Sequence, residues 1–421
     1  MRRKVASAFF CLVFAAVLLT GCGSENVVVS NQNQDEAKVN MTFFGNKNEP
    51  ENVTVIEEII TDFMKENPDV RLSYESLKGA EYFTALEKRM AAGKGDDVIM
   101  VNHDTALALS QKGQLADLSQ LNSIDSFTDS MLSQMEENGK IYWVPTTVSA
   151  FGLYCNEDLL KEHGQKIPDN LKEWESVCQY FKDKGITPIV ANNDISIKTL
   201  AIGEGFGSLY HEGRQREVFA KINNGEEAIS KYLRSGFSLA KRFIDQGYID
   251  AQKALTTEKT SDDLEEFVTG KYPFMLTGGW AAGRVKAMEP KFAFEVVSYP
   301  VRSDGTVLVI NADTRLSVNE DSPNKDEALK FVEYFTQKDS IQKFADNQSS
   351  FSPLKGGSPS STEEIQPLVD AYQSGWNVIG SDSLLELPIW ELTAEATEKL
   401  LSGESVDAIM EWLDNQQGSV K

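Results

Sequence analysis

The chain predicts an α/β protein of two lobes, each a mixed, mostly parallel sheet flanked by helices, with the chain crossing between the lobes more than once. Three observations lead there. The chain has 421 residues, and with an N-terminal leader and tether set aside the body still exceeds what one hydrophobic core usually organises. Strand and helix patterns alternate from Val39 onward, which is how parallel strands joined by helices on the sheet faces read. No internal repeat or long linker separates the halves, so distant segments must complete each lobe, as in a hinged clamp.

The N-terminus comes first. Met1, Arg2, Arg3 and Lys4 open an apolar stretch from Val5 to Leu19, and Leu19, Thr20, Gly21 and Cys22 close it. A charged start, a short apolar run and small residues before a cut describe a secretory signal, too short for a structural transmembrane helix. The cysteine directly after the small residues resembles the lipobox of a bacterial lipoprotein. That resemblance implies removal of residues 1–21, a thioether-linked diacylglycerol on Cys22, and a mature chain held on the outer face of the cell membrane. More than one acyl chain suffices for stable anchoring. Residues 22–37 are polar and aperiodic, and predict a flexible tether.

Val39 to Phe44 is a β-favouring run ended by Gly45. Ile56, Ile59, Ile60, Phe63 and Met64 follow the helical period until Asn67 and Pro68 stop it. Val70, Leu72 and Tyr74 alternate as a strand does. Phe83, Leu86 and Met90 mark a second helix, and Val98 to Val101 a fully apolar strand. This is βαβαβ. After Val148 the pattern restarts: a strand at Phe151 to Tyr154, and helices at Glu157 to Glu162 and Leu171 to Lys184. A long helical section follows near Glu226 to Gln246. Phe274 to Leu276 is a strand before Gly278 and Gly279. Strands near Phe294 to Tyr299 and Thr306 to Val309 flank an Asp304–Gly305 turn. Ser322 or Asn324 is expected to cap the helix holding Ala328, Phe331, Val332 and Phe335. The tail reads as helical from Leu384 to Leu413. Lobe one is expected from residues 38–148 and 305–352, lobe two from 149–304 and 353–421.

Composition narrows the partners. The formal net charge is −23, and residues 1–21 contain three basic and no acidic side chains, so the mature chain is more negative still. Such a surface repels phosphate backbones and anionic headgroups, which argues against nucleic acid. Beyond Cys11 and Cys22 there are only Cys155 and Cys178, expected as buried free thiols, with a disulfide as the alternative in an oxidising compartment. His103, His163 and His211 are too scattered for a metal motif. No nucleophile elbow, phosphate loop or dinucleotide fingerprint is present. Asp321 to Asp326 lacks the central Gly and terminal Glu of a calcium loop. No metal, cofactor or catalytic residue is expected.

The order of several segments then resembles a known family. DDVIMVNHD at Asp96 to Asp104 and GQLADL at Gly113 to Leu118 look like its third strand and the helix beyond. VPTTVSAFGLYCNEDLL at Val144 to Leu160, continuing through Pro168, Trp174 and the KGITPI of Lys184 to Ile189, looks like its first lobe crossover. FVTGKYPFMLTGGW at Phe267 to Trp280 is similar to the stretch that delivers a ligand-stacking Trp. NKDEALKFVEYF at Asn324 to Phe335 and LLSGESVDAIMEWLDN at Leu400 to Asn415 resemble its late helices. The family is the extracellular solute-binding proteins of ABC importers, in the carbohydrate-binding group that includes maltose-binding protein. The resemblance implies a two-lobed periplasmic-binding-protein-like clamp. Such a clamp closes on a mono- or oligosaccharide and hands it to an ABC transporter permease, as a monomer tethered through Cys22.

Sugars present apolar CH faces and a rim of hydroxyls, so their sites need aromatic planes beside carboxylates and amides. Trp280, after two glycines at a strand end, and Trp390, in LPIWEL, are the expected stacking residues. Asp104 and His103 follow the strand ending at Val101, Asn46 and Lys47 follow the first strand, and Glu75 ends the second. All five are candidate polar contacts, while Asp104 could instead cap the next helix. Trp174 and Trp412 are assigned to packing. Three departures separate the chain from relatives closest to maltose-binding protein. Ser149 stands where they carry a hinge carboxylate, Cys155 replaces a Tyr, and a Trp near Asn102 is absent, so the class of ligand carries over better than its identity. Two alternatives remain open on sequence: the same fold binding a glycerophosphodiester or a polyol, and an extracellular glycoside hydrolase. A membrane sensor kinase is an alternative partner to the permease.

Overall fold

The computed structural model describes residues 26–29, 37–137, 139–357, 361–374 and 377–419. The leader and Cys22 lie outside the described residues. Twelve strands among them are β1 (Asn26–Val29), β2 (Val39–Gly45), β3 (Val70–Ser76), β4 (Val98–Val101), β5 (Glu136–Glu137), β6 (Lys140–Ile141), β7 (Val144–Asn156), β8 (Ile189–Val190), β9 (Phe274–Gly278), β10 (Phe294–Val297), β11 (Leu308–Val318) and β12 (Asn377–Ile379).

The first lobe is built as βαβαβ. Strands β3 and β4 lie parallel to β2 on either side. Pro50–Glu66 forms the first crossover helix because Pro50 presets φ at its start while Ile56, Ile59, Ile60 and Phe63 bury one face. Against the expectation of an unstructured tether, Asn26–Val29 pairs antiparallel with β3, Asn26 opposite Ser76. Its three consecutive valines carry the β-branched preference that the polar surroundings obscure.

Two long strands tie the lobes together. In β7 all thirteen positions are buried, so it reads as a continuous run between layers and not as a half-exposed strand. Val144 to Phe151 runs antiparallel to β11. From Phe151 to Cys155 it pairs with β9, and from Leu153 to Asn156 also with β10. Strand β11 pairs with β4 through Arg315 to Val318 and with β12 through Leu308 to Ile310. Each of β7 and β11 therefore belongs to both lobes.

Several elements depart from the sequence reading. The helices Ile195–His211 and Gln215–Asn224 were not expected. The first is buried on nearly every side, so it shows no amphipathic stripe. The expected tail helix is two, Ile389–Leu401 and Val406–Ser419, broken at Gly403 with φ 99°. Asn324 holds the N-cap position of the helix Lys325–Phe335, one of the two residues expected there, but its side chain makes no cap hydrogen bond. Ser322 Oγ instead donates to Asp97 at 2.6 Å and accepts the Asn324 N–H at 3.0 Å. One core gathers Phe43, Ile56, Leu86, Phe331 and Phe344, and another Trp174, Phe237, Leu400 and, at its edge, Trp412. Cys155 and Cys178 are buried and free.

Candidate ligand cleft

A cavity of about 160 Å³ opens where the loops after β2 and β4 meet the crossing strands and the end of β9. Strand ends in open α/β sheets are where ligands bind. On one side stand Asn46, Asn102, His103 and Asp104; Ser149 and Asn311 to Arg315 form the floor; Phe151, Lys259, Trp280, Ser381 and Trp390 complete the lining.

The first wall depends on a helix cap. Asn102, not Asp104, is the N-cap of His103–Gln111, and its side chain accepts the Thr105 N–H at 2.8 Å. Asp104 is thereby left unused by the helix. Burial, with the Glu391 carboxylate adding to it, pushes the Asp104 carboxyl up to about 7. Burial likewise takes His103 down to about 3, so its imidazole is neutral.

The floor holds charge where an apolar strand was expected to have ended. Asp313 accepts from Ser149 Oγ on the neighbouring strand and from the Thr314 N–H at 2.7 Å. Arg315, 2 % exposed, donates from Nε to Ala312 O at 3.0 Å and lies 4.0 Å over the Trp143 ring. Burial draws its guanidinium down to about 10 against the pull of Asp313, Asp104 and Asp382. Between them Thr314 has φ 45°, a left-handed conformation that a β-branched residue adopts only under constraint.

The second wall is aromatic. Phe151 stands edge-on to Trp280 at 5.2 Å and 86°, and tilted against Trp390 at 5.3 Å. Tyr154 Oη donates to Gly278 O at 2.7 Å, which pins the turn leading into Trp280. Close approach requires glycine at 278, where a β-carbon would stand 2.2 Å from Trp280, and leaves little room at Gly380, where it would stand 3.0 Å from Trp390.

Six buried side-chain atoms of the lining residues have no hydrogen-bond partner: Asn46 Oδ1, His103 Nε2, both Asp104 oxygens, Thr314 Oγ1 and Arg315 Nη1. Buried polar groups are nearly always paired, and leaving one unpaired costs about 1–3 kcal/mol. Their concentration around one cavity describes a surface that a hydroxyl-rich guest would complete.

Of the residues expected from sequence, Asn46, His103, Asp104, Trp280 and Trp390 line this cavity, whereas Lys47 and Glu75 do not. Glu75 is bound by Arg89 at 2.5 and 3.0 Å, and Arg89 also holds Asp96; its carboxylate serves the first lobe. Lys47 places a positive charge near Asp313 and Glu49, and its carbonyl accepts the Tyr74 hydroxyl at 2.9 Å. Sequence reasoning missed Phe151, Asn311, Asp313, Arg315, Lys259 and Ser381. The available signal was NADTR at 311–315, charged residues inside an otherwise apolar run. Among the described residues no group of three His, Cys, Asp or Glu side chains is placed to hold a metal, and no helix is long and apolar enough to cross a membrane.

Known proteins share this fold. The chain is 26% identical over 370 residues to the multiple sugar-binding protein of Streptococcus mutans, covering 84% of this chain and 83% of that one. It is 26% identical over 313 residues to a maltodextrin-binding protein of Bacillus subtilis, covering 72% and 69%. A sugar transporter protein of Bacillus licheniformis, solved in complex with stachyose, superposes with a TM-score of 0.71 at 20% identity, over 91% of this chain and 100% of that one. Its fold is the two-lobed clamp that the crossing strands build here. The family model for bacterial extracellular solute-binding proteins matches residues 58–370, a span that includes both crossing strands, Asp104, Phe151 and Trp280, and the chain belongs to that family.

Proposed function

We propose that this protein captures a carbohydrate between its lobes and delivers it to the permease of an ABC transporter, tethered as a monomer to the outer face of the cell membrane through a lipid on Cys22. The observation that carries the ligand class is the set of six unpartnered buried polar atoms on residues that line one cavity with Phe151, Trp280 and Trp390. A sugar ring supplies both matching surfaces: CH faces for the aromatics, and hydroxyls that donate to Asp104 and accept from Arg315. A phosphodiester is a poorer match, because Asp104 and Asp313 would face an anion. The relatives are binding proteins, which supports capture without turnover.

The test is a thermal-shift and calorimetry screen of residues 23–421 with raffinose, stachyose, maltotriose, sorbitol and glycerophosphocholine. A ligand binding only the folded state raises its stability by RT ln(1 + [L]/Kd). One saccharide should give a clear shift with one-to-one stoichiometry and unchanged sugar after incubation. A shift with glycerophosphocholine alone, or cleavage of the saccharide, would overturn the reading. For the anchor, the full chain should partition into the detergent phase and Cys22→Ser should not.

A further inference from the structure

Behind the aromatic wall sits a buried charge that packing does not require. Lys198, on the helix Ile195–His211, is 2 % exposed at its side chain, and most of that helix's other buried positions are apolar. Its ammonium lies 4.1 Å over the ring of Trp390. One turn earlier Asp194 pairs with it, and the same carboxylate also takes Lys259, which lines the cavity. Burial lowers the proton affinity of Lys198 while Asp194 opposes it. Asp194 is pushed up by burial, but the two ammonium groups win and hold it at about 2. The Asp194 carboxylate is therefore ionised at neutral pH.

A buried ion pair is seldom more stabilising than apolar side chains of similar size, so this one needs a reason other than stability. The ring of Trp390 supplies one. Lys198 covers one face, Phe151 braces it at 5.3 Å, and Gly380 leaves room for its edge. An ammonium over an indole face is a directional contact, strongest when water is excluded. Apolar packing alone would let the ring tip. We infer that Lys198 is a positioning residue: its ammonium, anchored by Asp194, holds the Trp390 ring by one face so that the other is presented to a sugar. This rests on the proposed carbohydrate reading, and Lys198 itself touches no ligand.

The test uses Lys198→Met and Lys198→Arg, each in the wild-type chain and in Trp390→Leu, with two readouts. Without ligand, Lys198→Met should shift tryptophan emission in the wild-type background and leave it unchanged in Trp390→Leu, since among the described tryptophans it is Trp390 whose ring the ammonium overlies. With stachyose, or whichever of raffinose and maltotriose binds best, Lys198→Met should weaken affinity about tenfold in the wild type and less than about twofold in Trp390→Leu, and Lys198→Arg should restore most of it. Equal losses in both backgrounds, or no spectral change, would overturn the inference. If no saccharide binds the wild-type chain, the functional reading falls while the emission experiment still decides the Lys198–Trp390 contact. Should Lys198→Met fail to fold by circular dichroism, Asp194→Asn frees the ammonium from its anchor and must give the same pattern more weakly.

Discussion

A β-carbon on Gly278 would lie 2.2 Å from the six-membered ring of Trp280. The indole is folded back over the backbone two residues earlier, and only a glycine permits it. Gly278→Ala must therefore push the ring into the cavity or strain the turn that Tyr154 pins, at a cost of about 1–3 kcal/mol. The expected outcome is at least a tenfold loss of saccharide affinity by calorimetry, similar to that of Trp280→Ala. Unchanged affinity would remove Trp280 from the binding wall.

Asp104 makes stability and binding depend on pH in opposite directions. Its carboxyl stands at about 7 in the fold against an ordinary aspartate value of 3.8. Between these values the folded state holds a proton that the unfolded chain has lost. This group therefore makes stability fall as pH rises from about 4 to about 7, by at most about 1.4 kcal/mol per pH unit. Asp104→Asn should flatten that part of the curve of melting temperature against pH. A sugar hydroxyl donating to the carboxylate favours its ionised form, so wild-type affinity should climb from pH 5 to pH 8 with proton release, measurable in two buffers of different ionisation enthalpy. A pH-independent wild-type affinity would count against that hydroxyl contact.

Glu75 is expected to matter for stability and not for binding. Its partner Arg89 keeps Asp96 at 2.9 Å when Glu75 is neutralised. The pair is partly exposed, so Glu75→Gln should cost about 1 kcal/mol or less in urea unfolding. Saccharide affinity should be the same within error; a tenfold fall would return Glu75 to the list of ligand contacts.

Thr314 stores strain in the middle of a crossing strand, with φ 45° and an unpaired hydroxyl. Its carbonyl still accepts from Thr146 Oγ1 at 2.8 Å, a bond that any residue there retains. Thr314→Gly removes the steric cost of that conformation, and the fold should gain about 1 kcal/mol. A fall in melting temperature instead would mean that the threonine side chain packs more favourably than its dihedral suggests.

The two crossing strands also predict how the chain can be cut. In the fold β4 pairs with β11, which arrives more than 200 residues later. Residues 38–148 expressed alone should lack a cooperative thermal transition, because the sheet of the first lobe would be left with an open apolar edge. A sharp transition from that fragment would contradict the expected lobe boundaries.

Local chemistry made much of this protein readable. The βαβαβ of the first lobe follows from period-2 and period-3.6 apolar spacing punctuated by Asn67, Pro68 and the Gly93–Gly95 pair, because those signals act within a few residues. Trp280 was legible because two glycines before an aromatic at a strand end have few other uses. The helix Ile195–His211 was not, since burial on nearly every side erases the periodicity by which helices are recognised.

What only the tertiary structure decided is which polar residues share a space. Sequence alone established the class of fold, the order of the first lobe's elements and two aromatics that line the cleft, Trp280 and Trp390. It could not show that Ser149 would bond Asp313 across 164 positions, that Arg89 would claim Glu75, or that Asn102 would cap a helix and leave Asp104 free. The physical reason is range. Backbone propensity and amphipathic period are properties of neighbours in the chain, whereas a binding cavity is made where distant strands meet. A carboxylate's role there is set by whichever partner the fold brings within about 3 Å.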